Sequence, residues 1–232
     1  MWMLLDPYFL IIVSPGLILA AFASFYTKSM FKRYSQVGSR RGFTGAQAAA
    51  EMLRRNGVTG VSIEPTRGML SDHYDPRSHT LRLSEGVYNS QSLAAIGVAC
   101  HEAGHALQHA QRYVFLQART AMVPMTSLGS NAAFIFIIAG MLLRSQGLML
   151  FGAGLFALGV LFSIITLPVE WDASARAKRA MVTAGVVSEQ ERAQAGQVLN
   201  AAFLTYVAAA VTAILHLLYF LMRAGVLGGG DD

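Results

Sequence analysis

The chain has 232 residues, of which 54% are hydrophobic and only 13% charged, with a formal net charge of +5. Soluble domains carry about 25% charged residues, so this composition excludes an ordinary soluble globular protein and points to a membrane protein with a modest polar part. The single cysteine, Cys100, excludes an intrachain disulfide, and the basic residues cluster beside apolar stretches rather than forming a nucleic-acid-binding surface.

In chain order, the run from Tyr8 to Tyr26 carries no charge and is long enough to cross a hydrocarbon core about 30 Å thick. Trp2, Tyr8 and Tyr26 suit the membrane interfaces, and Pro15-Gly16 marks a place for a kink. No basic residue precedes the run and it is too long for a signal sequence, so it reads as a retained anchor. Lys28, Lys32, Arg33, Arg40 and Arg41 follow it. Thr44 and Gln47 form a capping-box pattern opening a short helix whose apolar face is Ala46, Ala49, Ala50 and Leu53, closed by Gly57. Residues 58–64 and 80–83 read as short strands of a small antiparallel sheet, with a polar turn at 68–76 between them.

Ser90 or Ser92 caps the next helix, which runs to about Gln111 and carries His101-Glu102-Ala103-Gly104-His105. Its apolar stretch before the motif is too short to span a bilayer. Residues four apart on a helix share a face, so His101 and His105 can present both imidazoles to one Zn²⁺, with Glu102 beside them as general base. Cys100 points away from His101 and reads as a small buried hydrophobe. His109 lies about 12 Å along the axis from His101, too far to share its metal.

Residues 123–143 and 147–168 are two further apolar spans joined by Arg144-Ser145-Gln146, and Ser188 and Glu191 form a capping box for a helix that becomes a last span near 201–222. The tail from Gly228 to Asp232 reads as flexible and acidic. Twelve Lys and Arg fall between the first two spans, one in the hairpin loop, four before the last span and one after it. That bias places both termini outside and the catalytic part in the cytoplasm. The expected parts are an N-terminal anchor (1–27), a cytoplasmic catalytic region (28–122), a transmembrane hairpin (123–168), a cytoplasmic helical segment with the third ligand (169–200), and a C-terminal span and tail (201–232).

Catalytic zinc takes three protein ligands and keeps one open position. Glu170 is the leading third ligand: it follows Pro168, at the expected start of a polar helix where the dipole favours a carboxylate. Asp172 lies about 200° round the helix and reads as a supporting group, with Arg176 as its i+4 partner. His73 and His79 precede the motif helix and are open as supporting groups or as a fourth ligand, while His216, in an apolar run, carries little weight.

Thr44–Gln47, Leu70–Pro76, His101–His109, Thr166–Ser174 and Ala201–Ala210 together resemble the YugP-type neutral zinc membrane metallopeptidases of bacteria. More distantly the layout is similar to HtpX-type and CAAX-prenyl membrane proteases, which place a glutamate ligand in E-x-x-x-D. Glu170 matches that glutamate, but Ser174 stands where the aspartate would be, which leaves open what supports the histidines.

The expected fold is therefore a mainly α membrane protein, with four transmembrane helices and a small α+β zincin-like region carrying H-E-x-x-H on a helix. The resemblance implies a Zn²⁺-dependent endopeptidase in the bacterial cytoplasmic membrane. Its partners would be a polypeptide substrate and the lipid bilayer, with no nucleic acid, and its role membrane-protein quality control. The alternative is a non-catalytic membrane scaffold with structural zinc. An intramembrane protease of the site-2 type is disfavoured, because the motif helix has no spanning apolar run.

Overall fold

The computed structural model describes residues 6–68 and 71–227. The interfacial role expected of Trp2, the part of the turn at Met69-Leu70 and the tail from Gly228 lie outside the described residues. Among the described residues the chain forms helices α1 (Pro7–Ser35), α2 (Gly45–Arg55), α3 (Glu85–Tyr88), α4 (Leu93–Ala110), α5 (Val114–Leu142), α6 (Gln146–Thr183) and α7 (Glu189–Arg223). Strands β1 (Ser62–Thr66), β2 (His73–Asp75) and β3 (Thr80–Ser84) lie between α2 and α3. Helices α1, α5, α6 and α7 are long and apolar enough to cross a membrane.

The chain divides into two compact units, to both of which α1, α5, α6 and α7 contribute residues. The described residues of the first are 6–23, 118–167 and 205–227; those of the second lie within Ser24–Gln117 and Pro168–Leu204. In the first unit a small core of Phe9, Val13, Ile137, Ala153, Tyr219 and Phe220 is buried. Small residues let its helices close up: a Cβ on Gly152 would lie 2.8 Å from the Ile137 backbone nitrogen, the close approach that membrane helices use when water supplies no drive for association. The outward faces are apolar, with Ile11, Leu128 and Leu142 more than 70% exposed, the surface that a bilayer covers.

The second unit is built on the packing of α2, α4 and the sheet, with Met52, Leu81, Leu83, Leu93 and Ile96 fully buried in its core. Thr44 caps α2 through a reciprocal bond with Gln47, as the sequence predicts. The helix ends in a Schellman arrangement: Gly57 (φ +70°) and Val58 donate to the carbonyls of Arg54 and Leu53. Its buried stripe is Gly45, Ala48, Ala49, Met52 and Leu53, whereas Ala50 is exposed. The expected face is thus turned toward Ala48 and Met52, because Met52 fills core volume that an alanine cannot.

The sheet departs from the expected antiparallel pair. Its order is β1-β3-β2, with β1 parallel to β3 and β2 antiparallel to it. Residues 73–75, expected in a turn, form the short third strand. Ser92 caps α4 by accepting from the Ala95 N–H, and Ser188 and Glu191 cap α7 reciprocally.

Helix α6 corrects a second expectation. Pro168 does not end it: the helix runs on to Thr183. Proline removes one backbone donor, a loss that helices packed against neighbours tolerate.

Candidate metal centre

Two helices of the second unit build the centre, α4 from one side and α6 from the other. On α4 the four-residue spacing stacks His101 and His105, whose rings meet edge to face with centroids 4.9 Å apart. From α6, Glu170 enters almost fully buried at 1% exposure. Its Oε2 lies 3.1 Å from His101 Nε2 and 3.6 Å from His105 Nε2. All three ligand atoms fall within 4.8 Å of one another. Zinc bonds of about 2.0–2.2 Å at tetrahedral angles space ligand atoms about 3.3–3.6 Å apart. The triangle therefore has the dimensions, and its two imidazoles and one carboxylate the chemistry, of a zinc donor set.

Glu170 is well inside α6 rather than at a helix start, so the dipole argument for it fails. The two imidazoles compensate its burial instead. Conversely, burial disfavours a charged His105, but the adjacent carboxylate more than offsets this and raises the ring's pKa.

The close approach of α4 to α6 depends on Gly104. A Cβ there would sit 2.5 Å from the Ala173 carbonyl oxygen, inside any normal contact.

The far side of each imidazole is also held. Gln108 is fully buried, and its Nε2 donates to the Val169 carbonyl at 2.8 Å and to Asp172 Oδ2 at 2.9 Å. Both partners only accept, so Gln108 Oε1 must face His105 Nδ1, 2.9 Å away. That places a proton on Nδ1 and leaves Nε2 as the nitrogen available to a metal. Asp172 is in turn bonded by Arg176 Nε, and Arg176 reaches Gln111 Oε1. Ser174 Oγ lies 3.0 Å from His101 Nδ1, so this serine stands at the second imidazole where the resemblance expects an aspartate.

The sequence reading passed over Gln108, although its i+3 spacing from His105 is the signal that places it over that ring. Ser174 was visible only as a departure from a pattern.

Glu102, between the histidines, is partly buried. Burial pushes its carboxyl pKa up, against the lowering effect of His101 and His105, which makes it a stronger base than a solvated carboxylate. Cys100 is buried and its thiol pushed up to about 12 by that burial, so it stays protonated and inert. His73 is exposed and bonds the Ser71 carbonyl through Nδ1 at 2.7 Å; it is not in the cluster. His79 meets His109 edge-on at 5.2 Å, and His109 Nδ1 bonds the Tyr74 hydroxyl at 2.9 Å. His216 bonds the Thr212 carbonyl of its own helix.

Four helices fit to cross a membrane, together with a His-His-Glu donor set of which His105 and Glu170 are buried, define a membrane protein equipped to bind a metal. Residues 9–225 match the family described as "Putative neutral zinc metallopeptidase", and the chain belongs to that family. It is 44% identical over 224 residues, 97% of this chain and 99% of the relative, to "Putative membrane protease YugP" of Bacillus subtilis (strain 168). No solved structure matches the chain. The cofactor of this family is Zn²⁺, which suits the donor set.

Proposed function

We propose that the chain is a membrane-embedded zinc endopeptidase of zincin-like design, cutting polypeptides at the cytoplasmic surface of the bacterial membrane and serving membrane-protein turnover. The observation that carries this reading is the convergence of His101, His105 and Glu170 beside Glu102. In it, His101 Nε2, His105 Nε2 and a Glu170 carboxylate oxygen hold the zinc. When bound, zinc supplies Lewis-acid polarisation of the scissile carbonyl and lowers the pKa of the attacking water.

The chain's own residues do the rest. Gln108 and Ser174 hold the imidazoles in the ligating orientation. Glu102 accepts the proton of the attacking water as the new C–O bond forms. It then delivers that proton to the departing amine nitrogen as the C–N bond breaks.

A scaffold with structural zinc needs a closed shell of four protein ligands. Among the described residues the cluster has three, with His73 and His79 outside it, and this favours the catalytic reading. The cytoplasmic orientation is supported by the twelve basic residues between the first two spans against one in the hairpin loop.

The test replaces Glu102 with Gln, which keeps the size of the side chain and removes the base. Zinc content should stay at the wild-type level while cleavage of an unfolded membrane polypeptide falls about 10²–10⁴-fold. Equal cleavage by both proteins at equal zinc content refutes the mechanism.

A further inference from the structure

The second unit also contains a cleft of about 800 Å³, within the ordinary size range of ligand sites. Its apolar lining comes from Phe31 of α1, Val87 of α3, Val98 of α4, and Val198 and Ala202 of α7. Lys28 and Lys32, one turn apart on α1, also line it, with Arg67, Asp72, Ser84 and Glu85. Asp72 is already engaged, accepting from the Ser84 N–H at 2.8 Å and its hydroxyl at 3.0 Å. Neither lysine forms an ion pair among the described residues, and both are exposed.

One observation ties this cleft to the metal centre. Val98 precedes Glu102 by four residues on α4, so the two side chains lie on one face, a single turn apart.

The lining is apolar but interrupted by Ser84, Ser90, Asp72 and Glu85. Asp72, Ser84 and Ser90 already bond within the protein, but the Glu85 carboxylate has no side-chain partner among the described residues, and a polypeptide brings it amide N–H groups where an acyl chain brings none. The two free ammonium groups, one turn apart on α1, call for a carboxylate beside that helix.

We propose that the cleft is the specificity pocket of the peptidase described above, taking a large apolar side chain of the substrate and pairing a neighbouring acidic residue with Lys28 and Lys32. The inference rests on the peptidase reading. It implies that chains with an acidic residue next to a bulky apolar one are preferred.

The test uses full-length, zinc-loaded protein carrying Glu102→Gln, in neutral detergent at low salt. Two fluorescent decapeptides, identical except for Asp or Asn beside a single Phe, are titrated by anisotropy. The Asp peptide should bind about three- to tenfold tighter, as expected for two partly exposed ion pairs. Lys28→Gln with Lys32→Gln should abolish that difference, and Val98→Trp should weaken both peptides.

Equal binding of the two peptides, a preference that survives the lysine replacements, or no binding by either overturns the assignment. So does displacement of the Asp peptide by vesicles of anionic phospholipid, but not by zwitterionic ones, because that outcome makes the cleft a lipid site. Peptides that bind as expected but are not cut by the wild-type protein refute the peptidase reading and leave the cleft assignment standing. Peptides that are cut without lysine-dependent preference refute the cleft alone.

Discussion

Replacing Gly104 with alanine probes the contact between α4 and α6 that brings the donor set together. A Cβ at this position would lie 2.5 Å from the Ala173 carbonyl oxygen, 3.2 Å from its carbon and 3.3 Å from its Cα. Comfortable separations begin near 3.5 Å, so the helices must part by about 1 Å. Overpacking of this kind costs about 1–3 kcal/mol.

The sign is diagnostic, because alanine in place of glycine inside a helix otherwise stabilises by about 1 kcal/mol. Separation would also stretch the 3.1 and 3.6 Å spacings between Glu170 and the two histidines beyond tetrahedral size. A loss of about 10–100-fold in zinc affinity is expected, the scale seen when support around a metal site is disturbed. The assays are thermal unfolding of the metal-free protein in detergent and competition for zinc with a chelator. Gly97→Ala is the control: there a Cβ would meet Ala195 at 3.4 Å, an ordinary contact, so stability and zinc affinity should hold or rise. If Gly104→Ala melts at or above the wild type and binds zinc equally well, the close packing is not what sets the ligand geometry.

Gln108→Leu should lower zinc affinity about 10–100-fold, because His105 loses the acceptor that fixes its tautomer; isothermal titration against a competing chelator measures this. Ser174→Ala should weaken zinc binding and Ser174→Asp should restore it, since either oxygen can accept from His101 Nδ1; the same titration distinguishes them. The carboxylate of Glu170 raises the pKa of His105 in the metal-free protein, so zinc competes with a proton for that ring. Zinc affinity should therefore fall as pH is lowered, and uptake should release protons, seen as a binding heat that depends on the buffer. For topology, single cysteines placed near Arg55 in a protein lacking Cys100 should resist an impermeant thiol reagent in intact cells and react after the membrane is opened. Labelling in intact cells reverses the orientation.

The helix carrying the histidines was legible because a four-residue period and a serine cap are local properties of the chain, and α4 starts and stops where they indicate. Glu170 is legible from its residue type and place in the chain, but it lies inside a continuous helix rather than at the helix start that Pro168 suggests. Proline is read as a helix end, and the packing that carries α6 through Pro168 is non-local. Pairing of β1 with β3 is non-local too, and a three-residue strand such as β2 has no periodicity to detect. Gln108 was hidden by its ordinary place in the middle of a helix, where a buried amide gains meaning only once Val169 and Asp172 of another helix are known to face it.

The central claim is that His101, His105 and Glu170 are the zinc ligands, and the most direct measurement is zinc per chain in purified Glu170→Gln and Asp172→Asn proteins. Asp172 meets the centre through Gln108 rather than as a member of the donor set, so Asp172→Asn should keep close to one zinc per chain. Glu170→Gln should lose most of it under the same dialysis. The reverse order, with zinc retained without Glu170 and lost without Asp172, would contradict the assignment.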